Sequence, residues 1–277
     1  MIALSNLAFP ADASASFLTD LRAFGVKGIE VAPTRIAPWD ALSPARLRSY
    51  GALVAAHGLV VSSLQALFYQ AEGVALLGDK VAFSRLIEHL RVVSQMASIL
   101  GAPVGVLGAP KQRSRGVLLD KDAFALGTER LRHAAEVCWS EGRFVLGLEP
   151  VPATYGGDFL TTYGDVLALV RAVDHPALRV HLDTSCVLLG GGDIGHAIAA
   201  SAPLLTHFHA SEPNLVDFSA PVADHEAAAA ALRRASYGGW VAIEMLQAKD
   251  WKAAVRDAVA WVCAVYGPPS PPPTAPS

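Results

Sequence analysis

Short apolar runs alternate with longer stretches of helical spacing along nearly the whole chain. The pattern predicts strands near 2–9, 27–33, 60–68, 103–108, 144–151, 178–185, 204–211 and 240–246. It predicts helices near 13–24, 43–57, 79–100, 120–142, 162–174, 193–201, 223–235 and 249–265. The strand candidates are continuously apolar, as parallel strands are when helices cover them. Eight β/α units in order favour a closed parallel barrel over an open sheet. Ser43-Pro44 reads as an N-cap followed by proline at the first helical position. Gly58, Gly101 and Gly142 each follow a helical run, where a left-handed cap is wanted. The 277 residues suit one barrel, which typically takes ~250 residues. The expected fold class is therefore α/β, a single (β/α)8 barrel over residues 1–266. The proline-rich stretch 267–277 is expected to be disordered or polyproline-like.

Four strand candidates end in residues that can bind a divalent metal: Leu146-Gly147-Leu148-Glu149, Val180-His181-Leu182-Asp183, His207-Phe208-His209 and Val241-Ala242-Ile243-Glu244. A closed barrel brings the carboxyl ends of its strands to one rim, so residues distant in sequence meet there. Glu149, Asp183, His209 and Glu244 form an oxygen-rich set with one nitrogen, suited to a single Mn, Mg, Co or Zn ion. The bland alternative for either glutamate is a salt bridge between strand ends. A charged group ending an apolar strand is costly to bury without a partner, and four such ends argue for a shared site. Asp183-Thr184-Ser185 also reads as a turn cap.

Alternation along a strand puts His181 on the face of Asp183 and His207 on the face of His209. His181 reads equally as a core histidine, and His207 as a group behind the metal ligand. Glu30, Gln65, Lys111 and Arg113 fall where barrel loops begin, and Glu212 follows the seventh strand. With His181 and His207 they are the candidate substrate contacts. The remaining histidines, 57, 89, 133, 175, 196 and 225, read as solvated groups in helices or turns.

Composition narrows the classes. Hydrophobic residues make up 52% and charged residues 17%, enough for a large core. The net charge of −3 and the absence of a long basic run argue against nucleic acid as partner. Cys138, Cys186 and Cys263 are odd in number and widely spaced, which fits a reduced, cytoplasmic setting. The first residues lack the basic region of a signal peptide, and polar residues interrupt every apolar stretch before spanning length. No membrane partner is expected, and a homo-oligomer stays open. There is no phosphate-binding GxxxxGK[ST] or GxGxxG, and no GxSxG elbow. Gly190-Gly191-Gly192 reads as a flexible turn rather than a phosphate cradle.

At Gly28-Ile29-Glu30-Val31-Ala32-Pro33, Gly147-Leu148-Glu149-Pro150, His181-Leu182-Asp183-Thr184, His207-Phe208-His209-Ala210-Ser211-Glu212-Pro213 and Val241-Ala242-Ile243-Glu244-Met245, the chain resembles the xylose-isomerase-like TIM-barrel superfamily. The order Glu, Asp, His, Glu resembles that of the ketose 3-epimerases. The resemblance implies one divalent metal on Glu149, Asp183, His209 and Glu244. It also implies that Glu149 and Glu244 exchange a proton with opposite faces of an open-chain sugar, through an enediolate. The function expected is a metal-dependent isomerase or epimerase of a sugar or related polyhydroxy carbonyl compound.

Three departures bear on the substrate. Cys186 stands where those epimerases carry a histidine, Leu215 where they carry an arginine, and Tyr155 where they carry an acid. The metal site is kept and the sugar-recognition shell is changed. A dehydratase of an inosose, a hydroxypyruvate isomerase or a lyase of an oxidised sugar is therefore an alternative on the same site. An endonuclease IV-like phosphodiesterase would need several zinc ions and more histidines, including one at Cys186. A sugar-binding barrel without catalysis is the non-enzymatic rival. The tail composition cannot bury apolar surface, so deleting residues 268–277 should leave the melting temperature and activity unchanged. A large drop on deletion would show that the tail docks.

Overall fold

The computed structural model describes residues 1–267, so the expectation for the tail lies almost wholly outside the described residues. Eight parallel strands close in sequence order, with β1 pairing both β2 and β8. They are β1 (Ile2–Ser5), β2 (Gly28–Val31), β3 (Val60–Leu64), β4 (Val104–Leu107), β5 (Val145–Leu148), β6 (Leu178–Asp183), β7 (Leu205–Ser211) and β8 (Val241–Glu244). The main helices are α1 (Ala15–Ala23), α2 (Pro44–Ala56), α3 (Lys80–Leu100), α4 (Asp120–Gly142), α5 (Tyr163–Val173), α6 (Thr184–Leu189), α7 (Ile194–Ser201), α8 (His225–Arg234) and α9 (Trp251–Tyr266). The expected single barrel is what forms. Most strands stop earlier than the apolar runs, because the runs continue into the loops that floor the barrel mouth.

Helix ends follow local chemistry. The Ser43 hydroxyl accepts the Arg46 N–H at 3.3 Å, with Pro44 at the first helical position of α2. Asp79 accepts the Ala82 N–H at 2.8 Å and starts α3, which ends at Gly101 with φ +73°. α3 buries Leu86, Leu90, Val93, Ala97 and Leu100, one stripe at helical spacing against the barrel. Gly142 differs from expectation. It stays helical, and Arg143 takes the left-handed cap at φ +55°. Gly142 packs against the Ser94 carbonyl, where a Cβ would sit at 3.2 Å. The short helix α6 was not expected. Asp183 nucleates it by accepting the Cys186 N–H at 2.7 Å.

Inside the barrel the usual apolar filling gives way to a polar layer. Ser5, Glu30, Ser63, Gln65, His181, His207 and His209 are all buried. The register shifts at Ile29/Glu30 and at Val180/His181, beside two members of that layer. Such irregularities re-aim side chains next to functional sites. Two histidines expected at the surface are packed instead. His225 is buried against Glu212 and Tyr266, and His89 bonds the Leu67 carbonyl at 2.7 Å. No helix among the described residues is long and apolar enough to cross a membrane.

Candidate metal centre

Strand pairing sets the site. β6 ends in Asp183, which pairs with His209 of β7, and Ser211 of β7 pairs with Glu244 at the end of β8. Glu149 follows β5 directly, its N–H bonded to the Leu107 carbonyl of β4 at 3.2 Å. Gly108 makes room for it, because a Cβ there would overlap the Glu149 carboxylate. His209 Nδ1 lies 3.1 Å from Glu244 Oε2, 3.6 Å from Asp183 Oδ2 and 4.0 Å from Glu149 Oε1. Glu149, Asp183 and His209 offer ligating atoms that all lie within 4.8 Å of one another.

The opposite side of the imidazole meets Glu30. His209 Nε2 lies 2.8 Å from Glu30 Oε1, a close charge pair rather than a straight hydrogen bond. Glu30 Oε2 pairs with His207 Nε2 at 2.8 Å and accepts the Ser63 hydroxyl at 2.7 Å. Gln65 Nε2 donates to Glu30 Oε1 at 3.1 Å and to Ser5 Oγ at 2.7 Å. A carboxylate behind a ligating histidine orients the ring and raises its basicity. Burial alone would push the Glu30 carboxyl up, but His209 and His207 outweigh it and hold it well below the usual range.

The carboxylates on the other side differ among themselves. Burial pushes the Glu149 carboxyl well above the ordinary range, and the neighbouring Asp183 and Glu244 push it further. Glu244 is raised too, first by burial, against the pull of His209. Asp183 is lowered, because His209, Ser211 and the Cys186 N–H overcome the effect of burial. Its Oδ1 accepts the Cys186 N–H at 2.7 Å and the Ser185 hydroxyl at 2.9 Å, and Oδ2 accepts the Ser211 hydroxyl at 2.6 Å. His209 Nδ1 is buried without a hydrogen bond in the midst of these acids. Three crowded carboxylates and an unpartnered imidazole nitrogen are the donor set a divalent cation satisfies. The residues present therefore fit such an ion.

A second group of potential ligands, His181, His207 and His209, lies deeper. There the His207 and His209 Nε2 atoms already face Glu30, and the His181 and His207 rings stack at 5.4 Å. Burial and the neighbouring imidazoles hold His181 well below its usual range.

The site opens into a cavity of about 630 Å³ whose lining includes Gln65, Tyr69, Lys111, Glu149, His209 and Glu244. A second lobe of about 360 Å³ shares Glu149 and Glu244 and reaches Tyr155, Asp183, Cys186 and Leu215.

A family model described as a xylose isomerase-like TIM barrel matches residues 18–265. The chain belongs to that family. No curated protein matches the sequence. Among solved structures, a D-psicose 3-epimerase from Clostridium cellulolyticum H10 with D-tagatose has a TM-score of 0.81 at 16% identity, covering 96% of this chain and 99% of its own. A 3-keto-D-glucoside 4-epimerase from E. coli gives 0.77 at 18%, covering 94% and 98%. A probable 3-DHS dehydratase from Bacillus anthracis gives 0.74 at 16%, covering 95% and 98%. At these identities the likeness is one of fold.

Within this xylose isomerase-like barrel the sequence candidates fall into two groups. Glu149, Asp183, His209 and Glu244 meet at one rim, and Gln65 and Lys111 line the cavity. Glu30, His181, His207, Arg113 and Glu212 are not among the residues that line either lobe. Glu30 and His207 are bonded to each other beneath His209. His181 is sealed in the barrel, with Nε2 3.3 Å from Glu149 Oε1. Arg113 is buried and spends its guanidinium on the backbone carbonyls of Leu107, Glu149 and Leu160, and burial brings its pKa down to about 10. Glu212 accepts the Val222 and Ala223 N–H groups and pairs with His225 at 2.7 Å, which pins the loop after β7. Sequence reasoning missed Ser63, Ser211 as a holder of Asp183, and the loop 65–72. Ser63 carries a legible signal, a polar residue at an inward position of an apolar strand.

Glu30→Gln should weaken divalent-metal affinity about 10–100-fold, read by titration calorimetry on chelator-stripped protein. The amide keeps the shape but loses the charge that faces both imidazoles. Unchanged affinity in a folded variant would reduce Glu30 to packing.

Proposed function

We propose that the protein is a divalent-metal-dependent epimerase or isomerase of a sugar or related polyhydroxy carbonyl compound. The observation that carries this reading is the convergence of Glu149, Asp183 and Glu244 on the unpartnered His209 Nδ1, at the floor of an open cavity. These four residues would hold one ion, and their oxygen-rich set suits Mn, Mg, Co or Zn. The ion would supply Lewis acidity to a carbonyl oxygen and offset the negative charge that grows as a neighbouring C–H is deprotonated.

The chain's own residues supply the proton transfers. Glu149 follows β5 and Glu244 ends β8, three strands apart in the ring of eight. Both line both lobes, and a carbon held between them presents one face to each. Burial raises both carboxyls above the ordinary carboxylate range, the direction that favours a proton-transfer group. One removes the proton and the other returns it on the opposite face. Asp183, held charged by three donors, serves as ligand alone.

The second reading is a dehydratase, which begins with the same proton removal and then expels a β-hydroxyl. The dehydratase among the fold neighbours supports keeping it. The phosphodiesterase reading loses ground, because the deeper histidine group is committed to Glu30 and Cys186 offers no imidazole.

One ion per chain should bind tightly and raise the melting temperature, adding about 2.7 kcal/mol at a hundredfold excess over Kd. Asp183→Ala and His209→Ala should each abolish that rise. Unchanged metal content in both variants, measured by elemental analysis, rejects the centre.

Glu149→Gln and Glu244→Gln should each lose ~10²–10⁴ in turnover through lost acid–base catalysis, while sugar binding weakens far less. The wild type should wash solvent deuterium into the carbon beside the carbonyl, and loss of water from the product would mark the dehydratase instead. Turnover with no deuterium uptake would point to a hydride shift and sink the two-glutamate assignment.

A further inference from the structure

Gln65 directly follows β3 and belongs both to the buried polar layer and to the lining of the larger lobe. Both of its amide hydrogens are spent on the protein. Nε2 donates to Ser5 Oγ at 2.7 Å and to Glu30 Oε1 at 3.1 Å. The charge of Glu30 decides which amide atom faces inward. A carboxylate accepts and cannot donate, so Oε1 in the place of Nε2 would set two acceptors against each other.

Oε1 is left over. It accepts no hydrogen bond from any described residue, and it is not among the buried polar atoms that lack a partner, so it keeps contact with solvent. The residue is only 4% exposed and lines the larger lobe, so that contact is with the cavity.

The acceptor is also fixed in place. The Gln65 N–H bonds the Val31 carbonyl of β2 at 2.9 Å. Ala66 follows with φ of +51°, a left-handed value uncommon for any residue but glycine. The next three carbonyls are each held by a side chain from another element. Leu67 O pairs with His89 Nε2 at 2.7 Å, Phe68 O accepts Gln112 Nε2 at 3.4 Å, and Tyr69 O accepts Trp39 Nε1 at 2.7 Å. Backbone strain persists at ligand clamps, where the surroundings over-determine the conformation.

A fixed acceptor without a protein partner selects what it meets. It takes a hydroxyl hydrogen and offers nothing to an ether oxygen or a fluorine, which bring no proton. Glu149, His209 and Glu244 line the same lobe, so a polyhydroxy substrate held at them shares that space with Gln65. We propose that Gln65 is a specificity-determining residue whose Oε1 accepts the proton of one substrate hydroxyl. The substrate class then narrows to polyhydroxy carbonyl compounds in which that hydroxyl is free, neither removed nor alkylated nor glycosylated. The inference rests on the metal-dependent reading above and names what that site requires of its substrate.

The test uses the full-length, Mn-loaded protein and calorimetry. The probes are D-fructose, D-tagatose and D-psicose and, for the tightest binder, analogues with one hydroxyl at a time replaced by fluorine, which removes the proton with little change in size. One analogue should bind about tenfold more weakly than its parent, as loss of a neutral hydrogen bond allows. In Gln65→Met the parent should weaken by a similar factor, and that analogue should then bind as well as the parent. A merely structural role for Gln65 would leave the parent-to-analogue ratio unchanged by the substitution. The variant also removes a donor from Glu30, so its manganese affinity is titrated first and each sugar is measured with the site saturated. Gln65→Asn, which withdraws the amide by one methylene, repeats the comparison should the methionine variant fail to fold. Equal ratios in wild type and variant at every position overturn the Gln65 contact and leave the metal-dependent reading standing. Absence of binding by every sugar, with the metal in place, overturns both.

Discussion

His209 is held between two sets of negative charge, and the functional half of the barrel is arranged around that fact. Below it Glu30 faces Nε2, and above it Glu149, Asp183 and Glu244 surround Nδ1. An imidazole so placed rises well above its ordinary pKa despite burial. Four acids around one ring are too much negative charge for a water-poor interior without a cation. One divalent ion would relieve the crowding, with His209 as a neutral ligand and Glu30 behind it. Burial raises the Glu149 and Glu244 carboxyls, and the neighbouring acids add to that rise.

The barrel supports this arrangement by giving up part of its apolar filling. The buried Ser5, Glu30, Ser63, Gln65, His181 and His207 cost desolvation, and most of them recover it in hydrogen bonds or charge pairs. The loops above are tied to the same end. Arg113 gathers three backbone carbonyls around Glu149, and Glu212 with His225 and Tyr266 secures the loop after β7. Charged residues that resemble substrate contacts in a list of loop positions are spent on keeping the mouth in shape.

The eight β/α units were legible in the sequence because the repeat is regular and each strand is buried on both sides. Glu149, Asp183, His209 and Glu244 were legible because a lone polar residue at the end of an apolar strand has no local explanation. Glu30 was visible as a candidate but not in its role, since nothing near it in sequence shows that it faces two histidines about 180 positions later. The bonds of Glu212 and Arg113 to loop backbone were not visible for the same reason. A charged residue in a loop reads identically whether it turns toward the cavity or toward the backbone. His225 read as a surface group because its partners, Glu212 and Tyr266, come from two other elements.

By itself the sequence determined the class of fold, the strand ends that carry chemistry and the changed residues Tyr155, Cys186 and Leu215. Those properties follow from local periodicity and residue type. Tertiary structure alone decided which polar groups face outward to the cavity and which are consumed within the wall. Ring closure, strand register and two register shifts set the distances among residues far apart in the chain. A carboxylate becomes a ligand, a base or a brace according to what lies within about 3 Å of it, and that neighbourhood exists only once the barrel has closed.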